Sequence, residues 1–369
     1  MDIKDYMQKM NNYLENLTEY LDKEDDYQEN FKNIENFQKI ILDQGDTYLI
    51  TELLILISKI SNNHFRSSNF FSKIEKILSL FSDKIKQTLS NLEIFKIFHH
   101  NKRILLFLYE ESIITFDQSL VDEMIHPKFS TSGLIQFFYH EIKTFLPDQK
   151  IESNESEINS YETDEFEEKR KQGENDRHIC QLIRSDSIDE FVVYMNQTNY
   201  SINNSIQESI FETNEFLLEN TPSLIEYSAF FGSIQIFNYL YLNEAVLTPS
   251  IWLYAVHGRN PEMIHFLEDK KDIITEITYA ECFTESIKCF HNEIANYIRD
   301  NRLDDSSIND YNHYDFIFRY HNYLFFPENI SNSSIAFYYL CKYNYIYLVK
   351  KVLMLNQVNT GELIIQTKF

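Results

Sequence analysis

Residues Leu224–Leu240 and Ile251–Leu267 repeat one another at a spacing of 27 residues: Tyr227 falls on Tyr254, Ser228 on Ala255, Ala229 on Val256, Ile236 on Met263, Phe237 on Ile264 and Leu240 on Leu267. Self-similarity at this period constrains the fold more than any single motif does. A short two-helix unit cannot bury its apolar side alone, so copies must stack on neighbours. Turn formers are scarce, with 6 Gly and 6 Pro in 369 residues, which suits helices and disfavours hairpins. The register continues in both directions. His178–Arg184 with Ser187–Met195 reads as a first, irregular pair, and Cys282–Ile298 as another, with Ser286 and Ile287 in the places of Ala255 and Val256. Tyr314–Leu324 reads as part of a degenerate unit and Ile335–Leu353 as the last, with an apolar outer face expected to lack a polar cap.

Residues 1–147 are expected to form an N-terminal helical region with no obvious copy of the repeat. Met7, Met10, Leu14, Leu17 and Leu21 recur at helical spacing, and similar patterns run through Tyr48–Ile60, Phe70–Phe81, Leu92–Tyr109 and Leu134–Phe145. The apolar run Tyr48–Ile60 contains Glu52 and falls short of the roughly 20 apolar residues a membrane helix needs, so it reads as a core helix. Residues 148–172 read as an acidic linker. Between Asp148 and Asp176, 11 acidic residues stand against four basic ones, and the stretch up to Ser160 carries too little apolar surface to offset its ordering entropy. Tyr161–Lys171 reads as a charged, exposed helix ended by Gly173, and residues 173–369 carry the repeats.

Thr221-Pro222, followed by Ala229-Phe-Phe-Gly232-Ser-Ile-Gln-Ile-Phe, resembles the ankyrin repeat, whose signature runs Thr-Pro-Leu-His, two small residues, a Gly and an aliphatic pair. The His place holds Glu226 and then Leu253, and Arg259 replaces the second Gly. Ser209–Leu217, Leu224–Phe237, Trp252–Asn260, Glu285–Cys289, Asn292–Ile298 and Phe337–Tyr343 are similar to phrases of a divergent ankyrin-like family of trichomonad-type protists that carries a domain of unknown function. The likeness is strong from Gln172 to Leu353 and looser through Asn91–Phe95 and Asn101–Phe107. It implies an all-α, ankyrin-like helical solenoid with a cytoplasmic interaction role, and it implies no reaction. It also implies that the residues just before the Gly position project onto a concave binding face: Phe230 and Phe231, His257 and Gly258, Lys288 and Cys289, Lys342 and Tyr343. The alternative for Phe230 and Phe231 is packing beneath a loop.

A net charge of −24 with no basic block disfavours nucleic acid and anionic membranes as partners and is compatible with a basic protein. Cys180, Cys282, Cys289 and Cys341 are scattered without a paired framework, and the N-terminus lacks a secretory apolar core, so a reducing compartment is expected. Cys282, Cys289 and His291 do not have zinc-knuckle spacing and read as core; His99 and His100 read as a partly exposed pair beside Lys102 and Arg103. Cys180 beside His178 is the best nucleophile candidate, but no local signature activates it. No phosphate-loop, dinucleotide, zincin or nucleophile-elbow motif occurs.

The expected function is therefore a non-catalytic interaction module, without metal or cofactor, that binds a protein partner through Phe230, Phe231, His257, Lys288, Lys342 and Tyr343. Self-association through the C-terminal end is the alternative, and an unrecognised hydrolase or transferase is a remote one.

Overall fold

The computed structural model describes residues 2–23, 28–126, 133–146, 161, 163–270, 279–303, 311–328, 330 and 333–356. The disorder expected for 148–160 lies outside the described residues. Among the described residues every regular element is helical, and one isolated antiparallel bridge joins Ser205 to Ser223. No helix among them is long and apolar enough to cross a membrane. The chain groups into two compact units: the first comprises Met1–Ile60, His64–Leu80 and Tyr279–Phe369, the second Ser61–Asn63 and Phe81–Thr278.

Helix pairs in both units close through a common turn. Asp186, Gly232, Arg259, Phe290, His321 and Asn344 each adopt the left-handed conformation, with φ between 48° and 66°. In five of these turns the next N–H reaches back five residues: Ser187 to Leu182 (3.1 Å), Ser233 to Ser228 (2.9 Å), His291 to Ser286 (2.9 Å), Asn322 to Ile317 (3.1 Å) and Tyr345 to Leu340 (2.9 Å). This is the Schellman closure, which satisfies carbonyls a helix end would otherwise strand. Left-handed backbone costs a non-glycine residue roughly 1 kcal/mol, so only one of these positions is glycine without the turn being lost. The turns fall in the register the sequence repeat indicates, and the degenerate pair keeps its turn while its second helix shrinks to a 3-10 turn at Tyr323–Phe325.

In the second unit, His178–Arg184 packs on Leu224–Phe231, which packs on Ile251–Gly258. That last contact requires glycine: a Cβ on Gly258 would sit 2.4 Å from the carbonyl oxygen of Ala229. Ser223 and Glu226 form a capping box at the start of Leu224–Phe231. Glu226 also accepts hydrogen bonds from Thr248 Oγ1 (2.6 Å) and Ser250 Oγ (2.5 Å), tying its pair to the next. Burial raises its pKa, but the hydroxyl and backbone donors outweigh that and hold the carboxyl below its usual range. Glu226 thus links neighbouring pairs. Asp186 likewise accepts the N–H groups of Gln235 and Ile236, both at 3.0 Å, at the start of the next pair's second helix.

Leu92–Tyr109, expected as one helical pattern, is split into Asn91–Phe98 and Lys102–Glu110, because Asn101 caps the second helix by accepting from Ile104 N–H. Leu134–Phe145 is three short turns, Leu134–Phe137, Tyr139–Ile142 and Lys143–Phe145. The acidic helix forms at Asp164–Gln172 and ends at Gly173 (φ 67°). It is not wholly exposed: Phe166 is buried, and Arg170 is buried against Glu141 (2.8 Å) and the carbonyl of Phe137 (2.9 Å).

In the first unit, Ile3–Asp22 buries Tyr6, Met10, Tyr13, Leu14, Leu17 and Leu21. It packs on Gln28–Gln44, Phe70–Ser79, Tyr323–Phe325 and Ile346–Asn356. The last pair, expected to present a bare apolar face, therefore carries the first helix, and Tyr347, Leu348 and Val352 are buried. Glu52 anchors this join. Its carboxyl accepts the Tyr6 hydroxyl at 2.6 Å and the Tyr347 N–H at 3.0 Å.

Candidate functional site

The residues expected on one binding face meet different surroundings. In the second unit, Phe230 and His257 are buried and Phe231 is half-buried. The cause is Phe216, from the short helix Glu215–Glu219, whose ring lies 6.2 Å from Phe230, 4.4 Å from His257 and 4.9 Å from Tyr254. Phe230 and His257 stack on one another at 5.0 Å. The exposed-face placement is thus corrected for both: they lie beneath an inserted segment, the alternative already open for Phe230. Gly258 serves close packing. In the first unit Lys288 is also buried, with its ammonium 3.7 Å from Glu285 and over the Tyr320 ring. Cys289 is buried beside it and donates its thiol to the Glu285 carbonyl.

Of the expected residues Lys342 is exposed, and Tyr343, like Phe231, is half-buried. Asp315, from the preceding helix Tyr311–Arg319, organises them. One carboxylate oxygen accepts Lys342 Nζ (2.6 Å) and the Tyr343 hydroxyl (2.5 Å), and the other accepts Arg319 Nη2 (2.5 Å). Burial raises the Asp315 pKa, but Lys342, Tyr343 and Arg319 outweigh it and hold the carboxyl below the usual range. Tyr339 stacks parallel to Tyr343 with ring centroids 6.4 Å apart, and Tyr338 beside it is 45 % exposed. The result is an edge of cations and phenols with its side chains already ordered.

A cavity of about 400 Å³ opens in the second unit between the segment Ile206–Pro222 and the start of helix Lys102–Glu110. Lys102 lies in its wall, 2 % exposed, and burial pushes its ammonium down to about 8 while Glu212 opposes that shift. Glu212 accepts N–H groups from Asn175 (3.2 Å), Thr213 (2.9 Å) and Asn214 (2.7 Å), which fixes the course of the segment. Asn175 donates to the Gln207 carbonyl at 2.8 Å, and Tyr227 accepts from Arg184 at 3.0 Å. Glu208 and Glu219 are exposed at the mouth, and Glu215 is half-buried. Sequence reasoning missed this site, because Lys102 and the 206–222 segment are joined only by folding.

Other reactive groups are muted by burial. The Cys180 and Cys282 thiols are each pushed up to about 12, chiefly by desolvation, so neither is an available thiolate near neutrality. His321 is fully buried and pushed down to about 3 by desolvation, so it stays neutral. Glu52 is raised to about 7 by burial against the opposing hydrogen bonds of Tyr6 and Tyr347. Its carboxyl is enclosed between helices. No family model matches the chain, and no curated protein or solved structure matches it.

Proposed function

We propose that this chain is a non-catalytic, cytoplasmic protein-recognition scaffold whose helix pairs form an ankyrin-like solenoid, and that it holds a protein partner on the edge formed by Arg319, Tyr338, Tyr339, Lys342 and Tyr343. The observation carrying this reading is the Asp315 cluster. It presents aromatic and cationic side chains in fixed positions, so little side-chain entropy is left to lose on binding, and such residues dominate interface energetics. The recurrent turns support the array reading, since each places the residues before it at the same point of a helix pair.

The test is affinity capture from a lysate with the unmodified chain and with a Tyr338→Ala/Lys342→Ala/Tyr343→Ala variant of equal helicity. Partners lost in the variant support the edge, and partners retained at equal yield overturn it. A second reading, self-association, is favoured by one observation: Met354 and Leu355, at the end of the last helix, are 74 % and 64 % exposed. A solution mass that rises with protein concentration, and stays constant in Met354→Ser/Leu355→Ser, supports it; a constant mass in the unmodified chain rejects it.

A further inference from the structure

We propose that the edge formed by Arg319, Tyr338, Tyr339, Lys342 and Tyr343 takes an acidic segment of its partner protein, one that sets an aspartate or glutamate carboxylate against Arg319 and Lys342 and an apolar side chain against Tyr338. This rests on the edge being the docking surface, and it names the chemistry received there. The charges select that chemistry. Asp315 pairs with both Arg319 (2.5 Å) and Lys342 (2.6 Å), so a single carboxylate answers two cations and one positive charge is left over. Among the described residues no other acid lies within ion-pair distance of either cation. The surplus faces outward: the Asp315 side chain is 17 % exposed, against 44 % for Arg319 and 40 % for Lys342.

Geometry supplies the donors and an apolar platform. The Tyr343 hydroxyl accepts from Arg319 Nε (3.2 Å) and donates to Asp315 (2.5 Å), which fixes the cluster before any ligand arrives. Arg319 and Lys342 both lie over the Tyr343 ring, at 6.0 Å and 5.2 Å from its centroid. A guanidinium and an ammonium each carry more N–H donors than these bonds use, so both keep donors for an incoming carboxylate. Tyr338 lies one helical turn before Lys342 on Ser334–Lys342 and offers its exposed ring to a side chain beside that carboxylate. One carboxylate matches the surplus charge, whereas a phosphate dianion would leave excess negative charge beside Asp315. The net charge of −24 opposes an acidic segment at a distance, but salt screens that field over about 8 Å, and at contact the nearest charges dominate.

The test uses the full chain. A random peptide library is selected on the immobilised protein at physiological salt and depleted on the folded Tyr338→Ala/Lys342→Ala/Tyr343→Ala variant, and the surviving peptides are titrated by fluorescence anisotropy. The expected result is enrichment of aspartate or glutamate next to an apolar residue. Affinity should fall about fivefold in Arg319→Gln/Lys342→Gln, and by a similar factor when the peptide's acid is replaced by its amide. The two losses combined should be smaller than their product, because they remove one interaction from its two sides. Phosphoserine in place of the acid is expected to bring no gain. Peptides that survive depletion but are basic or purely apolar, equal binding by the folded Arg319→Gln/Lys342→Gln variant, or a gain of tenfold or more with phosphoserine each overturns the acidic segment while leaving the edge as the docking surface. Survival of no peptide overturns the edge itself, and the acidic segment with it.

Discussion

The residues just before the turn occupy one register in every helix pair, yet Phe230 and His257 are buried while Lys342 is exposed. The difference lies in what the chain inserts between pairs. The turns at Asp186 and Gly232 are 46 positions apart, against 27 for Gly232 and Arg259, and the longer interval contains Phe216, which lies over Phe230 and His257. Between His321 and Asn344 the interval is 23 residues, and Asp315 ties Lys342 and Tyr343 into a polar cluster instead. Repeat register therefore determines where along a helix a side chain sits, and the connecting segments determine whether it meets solvent.

The largest effect expected along this contrast is that of Phe216→Ala. Removing a 5 % exposed ring that covers Phe230, Tyr254 and His257 should cost about 3–5 kcal/mol, measured by urea denaturation. A cost near zero would mean the cover is not what keeps those residues dry. Next is a pH effect at Glu52, which accepts the Tyr347 N–H of the last pair. A carboxyl raised from 4.5 to about 7 binds its proton more tightly when folded. Its contribution is thus fully present below pH 4.5 and is lost as pH rises through about 7, amounting to roughly 3 kcal/mol. Glu52→Gln should flatten that part of the stability profile and be more stable than the unmodified chain above it; a profile of unchanged slope would contradict the assignment.

Gly258→Ala should cost about 1–3 kcal/mol, because the new methyl meets the Ala229 carbonyl and the two first helices must part. A calorimetric midpoint equal to that of the unmodified protein would refute this close approach. The smallest effect belongs to the exposed end of the comparison. Lys342→Ala and Tyr343→Ala should each change stability by no more than about 1 kcal/mol, since an exposed ion pair contributes little. A loss comparable with that of Phe216→Ala would make the edge a core.

The helical class and the pair register were legible from Tyr227, Ser228 and Ala229 recurring at Tyr254, Ala255 and Val256, because side chains facing a neighbouring copy must keep their size. The left-handed turns at Phe290 and His321 were not, since neither residue type announces that conformation. The join of Tyr6, Glu52 and Tyr347 was also hidden: an acid within an apolar run signals burial but does not name its partners. Lys102 was read as a neighbour of two histidines. Its cavity is made chiefly by the segment Ile206–Pro222, about 100 positions or more away, whose proximity no local periodicity encodes.

The bond from Tyr347 to Glu52 spans 295 positions. On the ribosome, the opening helices emerge long before the strip that completes their unit, and at roughly 5–20 residues per second the roughly 200 residues of Phe81–Thr278 take on the order of 10–40 s to make. During that wait Tyr6 has Glu52 but lacks Tyr323 and Tyr347, and its helix has Gln28–Gln44 and Phe70–Ser79 but not Ile346–Asn356. The second unit, encoded in between, has every one of its own contacts available first. Nascent chains stalled before Tyr279 should therefore hold a protease-resistant middle and a cleavable beginning.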